Sequence, residues 1–133
     1  MSKSTLAKQP ETLEIESGQW IPFLARFTRD YRGAHARLDI LGKDAEVAYR
    51  VETEDRPFEG ISADMRNHEH SVWISFGSKP GNHLTHGVHD AKAIRLLPRI
   101  GSAGPVLEVE SADGTNTVLE LTNPEAYALP PGK

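Results

Sequence analysis

The hydrophobic rhythm of the chain changes once, near residue 33, and that change restricts the fold more than any other feature. Before it, Trp20, Phe23, Leu24, Phe27 and Tyr31 fall within about a 100° arc at 100° per residue, the signature of an amphipathic helix. Pro22 fits only a first helical turn, and Gly33 supplies a C′ residue able to adopt positive φ. These signals predict a helix from Ile21 to Arg32, with Arg26, Arg29 and Arg32 on its outer arc. After Gly33 the period is two. Ala36, Leu38 and Ile40 alternate with Arg37 and Asp39, and Val47, Tyr49 and Val51 alternate with Glu46, Arg50 and Glu52. A turn at Gly42, Lys43 and Asp44 makes these a hairpin with one wet and one dry face.

Further strands follow the same rhythm. Pro57 opens a segment from Phe58 to Ala63, in which Gly60 signals a bulge or a close backbone approach. Asp64 to His68 reads as a polar turn, and Val72, Ile74 and Phe76 as one face of the next strand. Gly77 to Asn82 is a loop by composition. His83 to Val88 and Ala93 to Leu97 are extended and read as either two strands or one strand bent near Asp90. In the last hairpin, a two-residue loop at Asp113-Gly114 would set carboxylates opposite leucines. A type I turn through Ala112 and Asp113 with Gly114 in a G1 bulge pairs Leu107 with Leu119 and Val109 with Thr117 instead. A one-residue slip turns every side chain to the other face, so the bulged register is expected.

The expected class is α+β, mainly β: one N-terminal amphipathic helix packed on an antiparallel twisted sheet or small open barrel of six to eight strands. The 133 residues fit a single domain, with a mobile leader over 1–12, a folded core over 13–122 and a loose tail over 123–133. With no cysteine, disulfides, thiolate metal sites and a cysteine nucleophile are excluded. A soluble, cytoplasmic protein is expected, since no apolar stretch could span a bilayer or form a signal peptide core. The net charge of −4 argues against nucleic acid as a partner.

The order Trp20-x-x-Phe23 and Phe27, Gly33, Gly60-Ile61-Ser62-x-Asp64, His83-Leu84-Thr85-His86 and Asp113-Gly114-Thr115 resembles a small bacterial family of uncharacterised domains, the domain-of-unknown-function 5335 family. The likeness covers residues 18 to 122. It implies a bacterial source and brings no activity, ligand or catalytic residue.

The histidines are the only chemical candidates. His83, His86 and His89 precede Asp90, but on a continuous strand His83 and His89 lie about 20 Å apart and His86 points the other way. His68 and His70, read as alternate strand residues roughly 7 Å apart, could share a metal with a third ligand such as Asp64 or His86. The favoured reading is a polar turn and wet strand edge, with His68, His70 and His86 the weak metal candidates. No cofactor and no catalytic residue are assigned. Residues 60–64 lack the final glycine of a nucleophile elbow, and residues 77–82 lack the Gly-Lys-Ser/Thr of a phosphate loop. The carboxylate pairs Glu14 with Glu16 and Glu108 with Glu110, and the stripe of Arg26, Arg29 and Arg32, read as solvated faces. Trp73 points to the opposite sheet face from Val72 and Ile74, to be packed within the monomer or placed at an interface. The expected function is a non-enzymatic binding or protein-interaction domain, as a homo-oligomer or with a protein partner. The alternatives are a small-molecule-binding barrel and a histidine-based metal-binding protein or hydrolase.

Overall fold

In a computed structural model, residues 12–42, 49–77, 83–97 and 104–122 are described. All but the last residue of the leader expected over 1–12, the turn residues Lys43 and Asp44, all but the first residue of the loop expected over 77–82, and the tail from 123 lie outside them. A helix α1 (Trp20–Tyr31) follows a short strand β1 (Leu13–Ile15) and one 3-10 turn, Ser17–Gln19. Among the described residues seven strands come after it: β2 (His35–Leu41), β3 (Tyr49–Asp64), β4 (Ser71–Phe76), β5 (Leu84–Val88), β6 (Ala91–Leu97), β7 (Val106–Ser111) and β8 (Asn116–Leu121). They form one open antiparallel sheet in the order β1-β6-β7-β8-β2-β3-β4-β5.

The helix starts one residue earlier than the periodicity predicts and ends one earlier, before Gly33 at φ 94°. Trp20, Leu24 and Phe27 are buried along it, and Phe23 and Tyr31 pack half-buried beside them. The Trp20 indole donates to the Ile15 carbonyl at 2.9 Å, so the ring that fills one end of the core also ties β1 to the helix. Phe27 meets Tyr31 at 4.9 Å and Phe58 at 5.8 Å, and Phe58 meets Phe76 at 6.4 Å, forming an aromatic line from helix to sheet. Burial, and then the charge of Asp30, push the Tyr31 phenol above its ordinary pKa.

Two corners give the sheet its shape. The first lies in β3, which is one strand of 16 residues rather than the two segments expected on either side of Pro57. Its first half, up to Pro57, pairs with β2, and its second half, from Phe58, pairs with β4. Pro57 is tolerated mid-strand because it stands where the partner changes and needs no donor there. A register shift between Phe58 and Gly60 leaves Glu59 as the extra residue of a bulge, which bends the strand. The second corner is at Asp90, whose φ of 54° lies in the left-handed region that Asp tolerates. The stretch before it, β5, pairs with β4 and the stretch after it, β6, pairs with β1 and β7, so of the two readings the structure shows two strands with a corner at Asp90 between them. Ala91 N–H donates to His70 O, and Ala112 N–H donates to Asp90 O, holding that corner.

Beyond the first corner, β3 has lost β2 as a neighbour, and its main-chain groups on that edge need other partners. The helix and its exit supply them. Gly33 N–H donates to Phe58 O, and Phe58 N–H donates to Ala34 O. Arg32 Nε donates to Glu59 O at 3.0 Å. The Thr28 hydroxyl accepts from Ile61 N–H at 2.9 Å and donates to Ile61 O at 3.0 Å. One threonine thus satisfies both main-chain groups of a strand residue, as a neighbouring strand would.

The last hairpin has the bulged register, with Leu107 opposite Leu119 and Val109 opposite Thr117. Gly114 takes φ 94°, and Gly114 N–H donates to Ser111 O. Leu107, Val109, Leu119 and Leu121 are buried on one face, as the slip argument requires. On the other face Arg95 is held by three carboxylates: Glu110 at 2.7 Å, Glu108 at 3.4 Å and Glu14 at 3.4 Å. Glu14, Glu108 and Glu110 are therefore partners of one guanidinium rather than simply a solvated face.

Thr28→Val keeps the shape and removes the hydroxyl, leaving the Ile61 N–H and C=O unpaired. A loss of about 1–3 kcal/mol in urea unfolding is expected, with Thr28→Ser retaining most of the stability. Arg95, by hydrogen bond and then charge, holds the Glu110 carboxyl below its ordinary value of 4.5. The folded state is therefore stabilised by this group above pH 4.5, and that stability is lost as pH falls through the depressed folded value. Melting temperature measured against pH should fall less steeply below pH 4.5 in Glu110→Gln than in the parent. Superimposable acid limbs would show that Glu110 does not contribute.

Candidate functional site

The second half of β3 forms with β4 and β5 a three-stranded unit whose two faces differ in kind. Residues opposite one another across strands share a face. Phe58, Phe76 and Leu84, then Ile61, Ile74 and His86, then Ala63, Val72 and Val88, form the inner rows. The outer rows are Gly60, Ser75 and Thr85, then Ser62, Trp73 and Gly87, with Asp64 beside Ser71 at one end. The outer face is thus a floor of glycine and hydroxyl residues with one large aromatic at its centre.

Trp73 is 39% exposed there. Its six-membered ring lies directly over Gly87: a Cβ built on that glycine would stand 2.4 Å from Trp73 Cζ3. The imidazole of His89 meets the indole edge-on at 5.4 Å. The indole is therefore seated on the Gly87 backbone and set at a right angle to the His89 ring, and the remainder is exposed. The packing within the monomer that the sequence suggested is real but incomplete.

Beside the indole, between the end of α1 and the β3 bulge, runs a groove of about 390 Å³ lined by Thr28, Arg32, Glu59, Gly60, Ile61, Ser62, Trp73, Ser75 and His83. A smaller recess of about 210 Å³, sharing Arg32 and Glu59, continues it towards His35 and Gly77. His35 pairs with Asp55 at 2.6 Å at that end. The bulge aims Glu59 into the groove. Glu59 Oε1 is shielded from solvent, and no hydrogen bond reaches it from the described residues. His83 Nδ1 stands 3.5 Å away, within ion-pair range but without the geometry of a hydrogen bond. At the opposite end of the outer face, Asp64, Arg66, Glu69 and Ser71 line a polar cleft of about 280 Å³. There Arg66 donates to both oxygens of Asp64, and these hydrogen bonds pull the carboxyl down from 3.8 to about 2.

The histidines scatter. His68 is exposed, ends the 3-10 turn Arg66–His68 and has φ 61°, while β4 begins only at Ser71. His68 and His70 are therefore not alternate residues of one strand, and the spacing argument for a shared metal fails because the backbone turns between them. His70 packs against the edge of Trp20 at 5.6 Å, and its carbonyl holds the Asp90 corner. His86 stands on the inner face opposite Ile74, half-buried. His83 lies at Glu59 and His89 at Trp73. Among the described residues, no three His, Cys, Asp or Glu side chains come together in a way that could hold a metal. Of the arginine stripe, Arg32 is drawn to the Glu59 carbonyl and Arg29 lies 3.6 Å from Asp30. Glu59 and Arg32 were not recognised from the sequence as site residues. The available signal was Gly60, which marked the bulge that brings them together.

Gly87→Ala would force the indole off its seat, because the clash is with the ring body. We expect a loss of about 1–3 kcal/mol and a changed Trp73 emission, measured by urea unfolding and intrinsic fluorescence. Unchanged emission in a folded variant would show that the ring does not rest there.

Among the described residues no helix is long and apolar enough to cross a membrane. Over residues 11–130 the chain matches the family described as a family of unknown function (DUF5335). No curated protein and no solved structure matches it. With so much of its length covered, the chain belongs to the family of unknown function DUF5335.

Proposed function

We propose that this protein is a non-enzymatic binding domain whose ligand settles on the outer face of β3, β4 and β5 around Trp73. The observation that carries the reading is a half-exposed tryptophan fixed in place on Gly87 and His89, at the edge of a groove with polar walls. A rigid aromatic loses little conformational freedom on binding and offers a large contact area, which is why such residues dominate binding surfaces. The polar groups nearby are held by one another: Ser75 Oγ lies 3.4 Å from Thr85 Oγ1, and Arg32 is anchored on the β3 backbone. Preorganisation of this sort favours recognition, since few side chains remain to be ordered when a ligand arrives. A bacterial, cytoplasmic setting belongs to the same proposal. The cysteine-free chain does not require an oxidising compartment for its stability.

The test is a photo-reactive side chain introduced at the exposed position of Ser62, with a control at the exposed Glu16. After irradiation in the producing cell, adducts are expected from position 62, few from position 16, and few from position 62 when Trp73 is replaced by alanine. Equal adducts at the two positions, or adducts indifferent to Trp73, would overturn the assignment.

A further inference from the structure

We infer that the ligand of this face is a neutral, β-linked oligosaccharide, a reading that rests on the binding role proposed for the surface around Trp73. Three features of the site point to that class. The first is shape. The floor around the indole is made of Gly60, Ser62, Ser75 and Gly87, whose small side chains leave one aromatic plate standing among them. The polar groups lie at both ends of the strands, Arg32 with Glu59 at one and Asp64 with Arg66 at the other. Ser71 to Ser75 spans roughly 13 Å of strand at 3.3 Å per residue, room for an extended ligand of two or three rings across Trp73. The groove itself, about 390 Å³, lies within the roughly 300–1,000 Å³ range of small-ligand sites.

The second feature is charge. Each end carries groups of both signs: Arg32, whose guanidinium is bonded to the Glu59 main-chain carbonyl, lines one groove with the Glu59 carboxylate, and Asp64 is bonded to Arg66 at the other end. With Glu69 also lining the second cleft, three acidic and two basic groups are spread over the two ends, too nearly balanced to select a polyanion or a polycation. They do present acceptors and donors together, which suits hydroxyl groups, each of which both donates and accepts. Glu59 Oε1 is an acceptor that receives no hydrogen bond from the described residues, with His83 Nδ1 3.5 Å away. The negative π-face of an indole attracts the polarised C–H groups of a pyranose ring.

The third feature is the backbone. The main-chain groups of β4 are occupied in pairing with β3 and β5, so an extended peptide lying over Trp73 at the centre of this face, away from the outer edge of β5, would find no main-chain partner. An oligosaccharide brings its own hydrogen-bonding groups and its own apolar faces. The β-1,4 linkage keeps such a chain extended, which suits a ligand lying along β4 from Ser71 to Ser75 across Trp73.

The experiment uses the purified full chain, titrated with cellohexaose, chitohexaose and xylohexaose, with α-linked maltohexaose for comparison of shape. The indole N–H signals of the two tryptophans in proton–nitrogen spectra are followed alongside emission. We expect at least one β-linked hexasaccharide to shift the Trp73 signal and leave that of buried Trp20 in place, with a micromolar to millimolar dissociation constant. Trp73→Ala should weaken binding at least tenfold and Glu59→Gln severalfold, while Glu16→Gln leaves it unchanged. Thermal melts confirm that each variant is folded. Silence of the Trp73 signal towards all three β-linked sugars at millimolar concentration overturns the inference, as does equal binding of maltohexaose. If the sugars fail while photo-adducts at position 62 still depend on Trp73, the binding face stands and its ligand is of another class. If the adducts fail as well, both readings fall.

Discussion

The arrangement of the chain beyond residue 57 depends on how the free edge of β3 is closed. A strand that leaves its neighbour at a corner exposes N–H and C=O groups, and such an edge is costly to bury and prone to pair with other chains. Here a helix closes it. Thr28 meets Ile61 through both of its main-chain groups, Arg32 meets Glu59, and the residues just past the helix pair with Phe58. A hydroxyl can do this because it donates and accepts from one atom. The same contact fixes where the helix axis lies, and therefore which side chains of α1 reach the core. Leu24 and Phe27 are buried on the side of the helix that faces inward, and the helix runs beside Gly60, where a Cβ would make ordinary van der Waals contact at 3.4 Å from Thr28 Cγ2.

Closing the edge in this way leaves one face of the β3-β4-β5 unit uncovered. The helix spends its apolar face on the inner rows, where Ile61, Val72, Ile74, Phe76 and Val88 are all buried. The outer rows receive no second layer among the described residues. A face of this kind in an antiparallel sheet normally carries long charged side chains in water. This one carries glycine, serine and threonine around a tryptophan, a composition that exposes a flat surface instead of shielding it. The large apolar ring is not there to fill the core, since its neighbours on that face are too small to enclose it.

Much of the architecture was legible in the order of residues. The helix was marked by the spacing from Trp20 to Tyr31 and by Gly33, and the last hairpin by the mismatch a two-residue turn would impose on Leu107 and Leu119. The bend at Asp90 was also readable, because the apolar alternation stops there and resumes. Pro57 misled, since a proline inside a strand ordinarily ends it; only the change of partner from β2 to β4 makes it harmless, and pairing is not written locally. The histidine pair failed for the same reason: two residues at strand spacing share a face only if the strand has begun, and His68 sits at φ 61° before it does. The candidate site was half visible. Gly-x-Ser, Trp-x-Ser and Thr-x-Gly at positions 60–62, 73–75 and 85–87 carry the small outer rows, but their alignment beneath one indole depends on the registers of two strand pairs.

The two sets of carboxylates show where the fold uses charge for stability and where it does not. On the β6-β7 face, Glu14, Glu108 and Glu110 converge on Arg95, and Lys92 lies 3.7 Å from Glu110. That network satisfies its members, and both Arg95 and Glu110 are shifted towards their charged forms as a result. Glu59 is treated differently. The bulge that aims it is required by the corner, yet its shielded oxygen receives no hydrogen bond from the described residues, a deficit of about 1–3 kcal/mol for a fully buried acceptor and less for one at a groove mouth. Unsatisfied acceptors are uncommon in folded proteins. This one lies in the groove that Trp73 lines, and in the same chain a guanidinium elsewhere is shared among three carboxylates. Asn116 Oδ1 on β8 is likewise shielded and receives no hydrogen bond from the described residues; Glu59 is the one that lies beside the uncovered aromatic surface, where a ligand with hydroxyl donors and an apolar face would answer both at once.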